Sequence, residues 1–346
     1  MNKTLNRFII NTSIIIFHRT NLTVLERMGI ISAGVRFLNI LWFSIIVFLF
    51  FAPFFYFYED GQFSHRELAY PDSQFVKIDD LEIHYRKYGQ SDRYMILLHG
   101  FGSSTYTWEK ITRKLSEHFT LISYDRPGFG LTERRFDLKY NPYTNEYQIE
   151  LLKKFMDHFD IKKAILVGNS AGGFVALNFT LIYPEKIEAL VLVDAAVFNK
   201  DWTNDSIRFL MNIPQVNHVG PDVVGKLMLK SFEETLDNSY FDPSKITEKD
   251  KEAYKKPAKI FGWKKALWEL AKSTQYKDIT GDLEKIQVPV IVIHGKQDKL
   301  IPLKSSEELA KVLKNATLCV IDNCGHLPQE ECPNEFVECL LNNFSM

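Results

Sequence analysis

The chain has 346 residues, of which 46% are hydrophobic and 25% are charged, so its composition is that of an ordinary globular protein. The 42 Lys and Arg residues nearly balance the 43 Asp and Glu residues, and the net charge of −1 provides no basic surface for nucleic acid. We therefore expect no nucleic-acid partner. The length suffices for one large α/β domain and an additional segment.

The first predicted element is an uncharged, strongly apolar segment at residues 37–58. As a helix it would be about 33 Å long, which is enough to cross a hydrocarbon core of about 30 Å. A cleaved signal peptide fits poorly, because 36 residues precede the segment and no small-x-small cleavage site follows it. A buried core helix is the other alternative, and the hydrophobicity on all sides argues against it. We predict a single transmembrane helix.

The charges around this segment predict its orientation. Acidic residues follow it, and the positive residues that precede it are Lys3, Arg7, Arg19, Arg27 and Arg36. By the positive-inside rule, residues 1–36 form a cytosolic or interfacial segment, and the catalytic domain lies on the opposite side of the membrane. Residues 59–73 are predicted to be a linker.

From Gln74 onward, strand and helix patterns alternate. Residues 75–78 and 81–88 predict an antiparallel pair, and helical patterns separate the strands that follow. Six short apolar runs predict buried parallel strands, at 95–99, 120–125, 164–168, 189–194, 288–295 and 317–322. This alternation predicts the α/β class, with a mostly parallel eight-stranded sheet and helices on both faces.

Residues 197–283 interrupt the alternation. They contain several helical stretches and Trp202, Trp263 and Trp268, with no strand pattern. We predict a helical cap inserted after the sixth strand. Residues 74–196 and 284–346 would then form the core domain.

The strongest chemical signal is Gly168-Asn169-Ser170-Ala171-Gly172, directly after a predicted strand and before a helical pattern. G-x-S-x-G in this context is typical of a nucleophile elbow, a strained turn that presents the serine side chain. We predict that Ser170 is the nucleophile. The alternative is a glycine-rich turn with an incidental serine.

A second glycine-rich loop follows the strand at 95–99. It would place a backbone N–H group beside the elbow, and we predict an oxyanion hole formed by the N–H groups of Phe101 and Ala171. His99 is predicted to be a buried histidine that hydrogen-bonds to backbone rather than a catalytic base. Four neighbouring residues are expected to contact the substrate: Gly100, Gly102, Ser103 and Asn169.

Two later loops supply the remaining candidates. Asp298 follows the strand at 288–295, and His326 follows the last strand, so the chain order is Ser, Asp, His. The carboxyl ends of parallel strands meet at one edge of a sheet, where these side chains would lie together. We predict His326 as the base and Asp298 as the acid that orients it, with Asp194 and Asp322 as alternative acids.

All four cysteines lie within the last 28 residues, at Cys319, Cys324, Cys332 and Cys339. This clustering is not typical of a secreted disulfide framework, and the spacing matches no common zinc site. We predict mostly free thiols and leave a Cys324–Cys332 bridge as the alternative. No metal and no organic cofactor is expected.

Together, the motifs HGFG, GNSAGG, GKQDKLIP and NCGHLPQEECP resemble those of the α/β-hydrolase superfamily, from about Gln74 to the C-terminus. The resemblance implies the α/β-hydrolase fold and a serine esterase or lipase type of site. The nucleophilic serine argues against the epoxide hydrolases and haloalkane dehalogenases of the superfamily. An anchor followed by such a domain is similar to the membrane-bound monoacylglycerol lipases.

The leading functional hypothesis is an ester hydrolase that acts on lipid-like or hydrophobic acyl esters through an acyl-enzyme on Ser170. The expected partners are this ester substrate and the membrane. Three alternatives remain. They are an acyltransferase with the same triad, a carbon–carbon bond hydrolase, whose elbow GNSAGG resembles, and a receptor that binds a ligand without turnover.

Overall fold

The computed structural model describes residues 30–198, 204–275 and 278–344, and the chain divides into two compact units between Phe57 and Tyr58. In the first unit, helix α1 (Ile30–Phe51) continues into a short 3-10 helix (Ala52–Phe55). Val35–Phe55 is long and apolar enough to cross a membrane, and none of its residues is buried.

The predicted helix at 37–58 is therefore present, but its bounds are shifted towards the N-terminus. The helical structure ends at Phe55, and Tyr56 has extended backbone angles. Pro53 explains the earlier end of α1, because proline has no N–H group to continue the hydrogen bonds of the helix.

The second unit is built on the predicted eight-stranded sheet. The strands are β1 (Gln74–Ile78), β2 (Leu81–Tyr88), β3 (Tyr94–Leu98), β4 (Thr120–Tyr124), β5 (Ala164–Asn169), β6 (Ile187–Val193), β7 (Val290–Gly295) and β8 (Ala316–Ile321). Their order is β1-β2-β4-β3-β5-β6-β7-β8. β2 pairs with β1 and β4 in antiparallel fashion, and all other pairs are parallel.

Helices cover both faces of this sheet. They are α2 (Glu109–Leu115), α3 (Asn145–His158), α4 (Ala171–Ile182), α9 (Leu303–Val312), α10 (Pro328–Glu331) and α11 (Pro333–Asn343). Alternate residues of β5 point to opposite faces: Leu166 packs in the cluster that contains Phe155 of α3, and Val167 packs in the cluster that contains Phe336 of α11. Burial on both faces agrees with the continuously apolar sequence of residues 164–167.

The predicted helical cap lies between β6 and β7. Its helices are α5 (Asp205–Met211), α6 (Pro214–Asn238), α7 (Glu248–Lys255) and α8 (Trp263–Ser273). Trp268 of α8 donates its indole N–H to Asn217 of α6 at 2.7 Å, whereas Trp202 lies outside the described residues.

The stretch predicted as a linker, residues 59–73, contacts the cap, since Asp60 accepts a hydrogen bond from the N–H of Gly262 at 2.8 Å. The exact domain boundaries stay predictions.

One cysteine prediction was wrong. Cys319 of β8 and Cys339 of α11 form a disulfide, with their Cα atoms 6.2 Å apart. Free thiols are found only for Cys324 and Cys332, which are both buried, so the alternative bridge between these two is not formed. The pair is 20 residues apart in the chain and meets because α11 packs against β8, a contact that cysteine spacing does not reveal.

Candidate active site

Ser170 lies at the sharp turn between β5 and α4. Its backbone angles, φ 52° and ψ −119°, fall in a region that non-glycine residues rarely adopt and that costs about 1–3 kcal/mol. The turn is held by its own backbone: the N–H of Ser170 donates to the carbonyl of Val193 at 2.9 Å, and its carbonyl accepts from the N–H of Ala196 at 3.1 Å. The end of β6 therefore supports the strained serine directly.

The two glycines of the elbow are required by close packing. A Cβ atom at Gly172 would collide with the carbonyl oxygen of Leu98 at the end of β3. A Cβ atom at Gly168 would lie 2.5 Å from the carbonyl oxygen of Gly172. The N-terminus of α4 can thus approach the sheet edge closely, and its dipole favours negative charge that develops beside Ser170.

His326 and Asp298 are in direct contact. Nδ1 of His326 lies 2.7 Å from Oδ2 of Asp298, and Oδ1 of Asp298 accepts from the N–H groups of Leu300 at 2.7 Å and Ile301 at 3.1 Å. Burial by itself would raise the pKa of Asp298, but the His326 contact and these N–H groups outweigh it and lower that pKa. An ionised Asp298 occupies Nδ1 and leaves Nε2 of His326 to exchange a proton.

The two alternative acids have other partners. Asp322 is exposed and forms an ion pair with Lys296 at 2.6 Å. Asp194 is buried, and its Oδ1 accepts from the N–H of Gly295 at 3.0 Å. Of the three carboxylates that the sequence left open, Asp298 is the one bonded to His326.

The HGFG loop runs beside the elbow. A Cβ atom at Gly100 would lie 3.1 Å from Oδ1 of Asn169 and 3.2 Å from Cβ of Ser170, so this backbone passes close to the elbow. His99 is fully buried, and its Nδ1 and Nε2 contact the carbonyl of Gly100 at 2.7 Å and the N–H of Arg126 at 3.0 Å. Burial and the charge of Arg126 lower the pKa of His99 to about 3, which agrees with a structural rather than a catalytic role.

A cavity of about 290 Å³ opens at this sheet edge. Seven of the residues predicted for the site line it: Gly100, Phe101, Gly102, Ser103, Asn169, Ser170 and His326. Asp298 lies behind His326 and does not line the cavity, and neither does Ala171. Among the described residues that line it, none is Asp, Glu, Lys or Arg.

The cap contributes lining residues that the sequence analysis missed. They include Met228, Phe232 and Leu236 of α6 and Tyr254 of α7, whose hydroxyl oxygen accepts a hydrogen bond from Ser103 at 3.4 Å. The spacing of four residues along α6 is the signal that could have identified one face of this helix. Which face covers the site depends on cap packing, so the signal alone would not have sufficed.

Asn169 has a second role besides lining the cavity. Its side-chain Nδ2 donates to the carbonyls of Val193 and His326, each at 3.2 Å. It thereby links the elbow to the histidine loop. The G-x-S-x-G pattern does not specify this position, which explains why the sequence indicated only a substrate contact.

Two buried acids of α10, the short helix that follows the histidine loop, join that loop to the cap. Glu331 accepts from the N–H groups of Gly325 at 2.7 Å, Phe241 at 2.9 Å and Asp242 at 2.8 Å. Glu330 accepts from three hydroxyl groups, those of Thr107, Tyr240 and Tyr254. Burial outweighs these hydrogen bonds and raises the pKa of Glu330.

The fold and the motifs agree with a comparison to known families. The family model described as the alpha/beta hydrolase fold matches residues 94–333, which is more than half of the chain. The chain belongs to the α/β-hydrolase family. This α/β hydrolase is 26% identical to the uncharacterised hydrolase YugF of Bacillus subtilis strain 168 over 257 residues, 74% of this chain and 92% of that protein.

Two further relatives carry more specific names. A 2-hydroxy-6-oxononadienedioate/2-hydroxy-6-oxononatrienedioate hydrolase of Escherichia coli O139:H28 is 26% identical over 290 residues, 78% of this chain and 94% of that protein. The meta-cleavage product hydrolase CumD from Pseudomonas fluorescens IP01, solved as a serine-to-alanine mutant complexed with acetates, is 25% identical. Its TM-score is 0.63, with 78% of this α/β hydrolase and 97% of CumD covered.

Proposed function

We propose that this protein is a membrane-anchored serine hydrolase that cleaves carboxylic esters with neutral, hydrophobic acyl groups. One observation carries the proposal: Ser170 and His326 line the same uncharged cavity, and His326 is bonded to Asp298 from behind. A nucleophile, a base and an orienting acid in this order are what acyl transfer to a serine requires.

The reaction proceeds in two steps. Nε2 of His326 takes the proton of Ser170 Oγ as this oxygen attacks the ester carbonyl, and Asp298 stabilises the imidazolium. The N–H groups of Phe101 and Ala171 stabilise the negative charge on the carbonyl oxygen. His326 then returns the proton to the departing alcohol, and water activated by the same histidine releases the acid from Ser170.

The cavity favours a substrate of limited size. Its volume of about 290 Å³ corresponds to roughly ten water volumes of ~30 Å³ each, so the buried part of a substrate has about ten non-hydrogen atoms. The apolar lining includes Phe101, Met228, Phe232, Leu300 and Leu327. An aliphatic acyl chain of medium length matches both properties.

Carbon–carbon bond hydrolysis is the second candidate, because the Escherichia coli relative bears the name of a hydrolase for dicarboxylates. A buried carboxylate needs a cation or several hydrogen-bond donors to offset its desolvation. The lining described above supplies no Lys or Arg. A neutral ester therefore fits this cavity better than a dianion does.

The anchor also belongs to the proposal. The exposed apolar window Val35–Phe55 would be a large aggregation hazard in water, and a bilayer provides the environment that it needs. With the positive residues of segment 1–36 in the cytosol, the hydrolase domain lies on the other side of the membrane, close to lipid substrates. Resistance of the full-length protein to extraction by alkaline carbonate tests the anchor.

The deciding experiment combines a fluorophosphonate probe with p-nitrophenyl esters from C2 to C16 on detergent-solubilised full-length protein. We expect labelling and hydrolysis in the wild type, with an optimum near C8, and the loss of both in Ser170→Ala. A 2-hydroxy-6-oxo-dienedioate is assayed in parallel, and glycerol is added to detect acyl transfer.

Each outcome has a definite meaning. Cleavage of the dienedioate without ester hydrolysis would replace the proposal with the carbon–carbon reaction. Glyceride products would assign an acyltransferase. A folded wild type that neither labels nor turns over any substrate would overturn the enzyme assignment and favour a receptor.

A further inference from the structure

Asp194 is a buried carboxyl group that the proposed mechanism does not use. It follows β6 directly, its side chain is inaccessible, and its φ of 43° is unusual for a residue other than glycine. Its Oδ1 accepts from the N–H of Gly295 at 3.0 Å and lies 3.2 Å from Nδ1 of His294. The structure thus fixes one oxygen of this acid firmly.

The other oxygen, Oδ2, is buried and has no hydrogen-bond partner among the residues that the structure describes. One carboxylate oxygen of Asp194, one ring nitrogen of His294 and one carboxylate oxygen of Asp298 lie within 4.8 Å of one another. Two buried carboxyl groups at such a distance do not both ionise, because their charges repel in a medium of low dielectric. One of them therefore keeps a proton.

The surroundings decide which one. Asp298 is stabilised as an anion by His326 and by two backbone N–H groups. Among the described residues, Asp194 forms no ion pair with Lys or Arg, and burial lowers the pKa of His294, so this neighbour is neutral. Burial and the charge of Asp298, with a smaller contribution from Cys332, raise the pKa of Asp194 well above its ordinary value.

We propose that Asp194 is a positioning residue of the site: as a neutral carboxylic acid, it donates a hydrogen bond from Oδ2 to the carboxylate of Asp298. This bond gives the orphaned oxygen its partner and holds Asp298 in the orientation that contacts His326. It also makes Asp298 a weaker base, so the proton taken from Ser170 stays on the imidazole. The inference rests on the proposed function, because Asp298 acts only through His326.

Two variants separate this role from a merely structural one. Asp194→Asn keeps one donor and one acceptor in place, whereas Asp194→Ala removes both. The rate of fluorophosphonate labelling of Ser170 is followed against pH, because its acidic limb reports the protonation of the base. Asp322→Asn is the matched control, since it removes an exposed aspartate that also follows a strand.

We expect Asp194→Asn to label at nearly the wild-type rate with its acidic limb unchanged, as the control does. Asp194→Ala should label roughly 10- to 100-fold more slowly, the effect of losing one hydrogen bond to a charged group, and should raise KM for an ester little. A downward shift of the acidic limb in Asp194→Asn would mean that Asp194 is ionised in the wild type. That result, or an Asp194→Ala variant as fast as the wild type, overturns the proposal.

A second readout does not depend on any substrate. The infrared difference spectrum between wild type and Asp194→Asn should contain the carbonyl band of a protonated carboxylic acid that the variant lacks. Absence of this band in the wild type would overturn the inference even if Asp194→Ala fails to fold. If the wild type does not label at all, the proposed function fails, and the infrared band still decides the protonation of Asp194.

Discussion

The edge of the sheet and the cap contribute to the site in different ways. At the sheet edge, backbone groups fix the candidate catalytic residues: Val193 and Ala196 bond the backbone of Ser170, and the N–H groups after Asp298 bond its carboxylate. The cap lines the cavity with side chains such as Tyr254, and its backbone contacts a single member of the candidate triad, since the carbonyl of Ser239 accepts from the N–H of His326 at 2.8 Å. The sheet edge thus holds most of the candidate catalytic groups, whereas the cap supplies much of the cavity wall.

The largest effect is expected at the sheet edge. Asp298→Asn removes the charge that stabilises the imidazolium, and kcat should fall roughly 10⁴-fold with little change in KM. Steady-state kinetics on the preferred ester measures both constants. Asp322→Asn is the control, and an equal loss of kcat in that variant would contradict the assignment of the acid.

The second prediction concerns the stability of the same edge. Gly172→Ala places a Cβ atom against the carbonyl oxygen of Leu98, which belongs to backbone that cannot move aside, and should destabilise the protein by roughly 3 kcal/mol. Thermal unfolding measures the change. Gly281 is a matched control because a Cβ atom there meets nothing within 4 Å, so Gly281→Ala should unfold close to the wild-type temperature.

The third prediction compares Glu330 at the cap junction with Asp298 at the sheet edge. The measurement is the melting temperature of each variant and of the wild type as a function of pH. The pKa of Glu330 is raised, so its contribution to stability is complete below the ordinary glutamate value of about 4.3 and is lost as the pH rises through the raised pKa. The advantage of wild type over Glu330→Gln in melting temperature should therefore shrink as the pH rises.

Asp298 should show the opposite trend. Its pKa is lowered, so its contribution is present above the ordinary aspartate value of about 3.9 and is lost as the pH falls through the lowered pKa. The advantage of wild type over Asp298→Asn should shrink on acidification. If the advantage of the wild type changed in the same direction with pH for both variants, the opposite pKa shifts of Glu330 and Asp298 would be contradicted.

The smallest effect is expected in the cap. Met228 lines both the main cavity and an adjoining cavity of about 60 Å³. Its Cε would lie 3.2 Å from a Cβ atom added at Gly102. Met228→Ala should join the two spaces and lengthen the preferred acyl chain by about two carbons, since 60 Å³ equals about two water volumes. Chain-length profiles measure this shift, and the exposed neighbour Leu227→Ala should leave the profile unchanged.

The strands and the elbow could be predicted because their signals are local. An apolar run such as 164–168 reports a strand buried on both faces, and the glycines around Ser170 report a turn that excludes side chains. The acid was a less local inference. Its position in the chain favoured Asp298 but left Asp194 and Asp322 as alternatives, and the 2.7 Å contact of Asp298 with His326 joins two loops that only the tertiary structure brings together.

By itself, the sequence determined the α/β class, the order of the strands along the chain, the apolar helix and the turn at Ser170, because each depends on residues within one or two elements. The tertiary structure decided the pairing of Cys319 with Cys339, the helix face that places Met228 over the cavity, and the contact of Glu330 with Tyr254. These features join elements that are distant in the chain. Close packing brings them together, and packing depends on the shapes of all the side chains between them rather than on any local pattern.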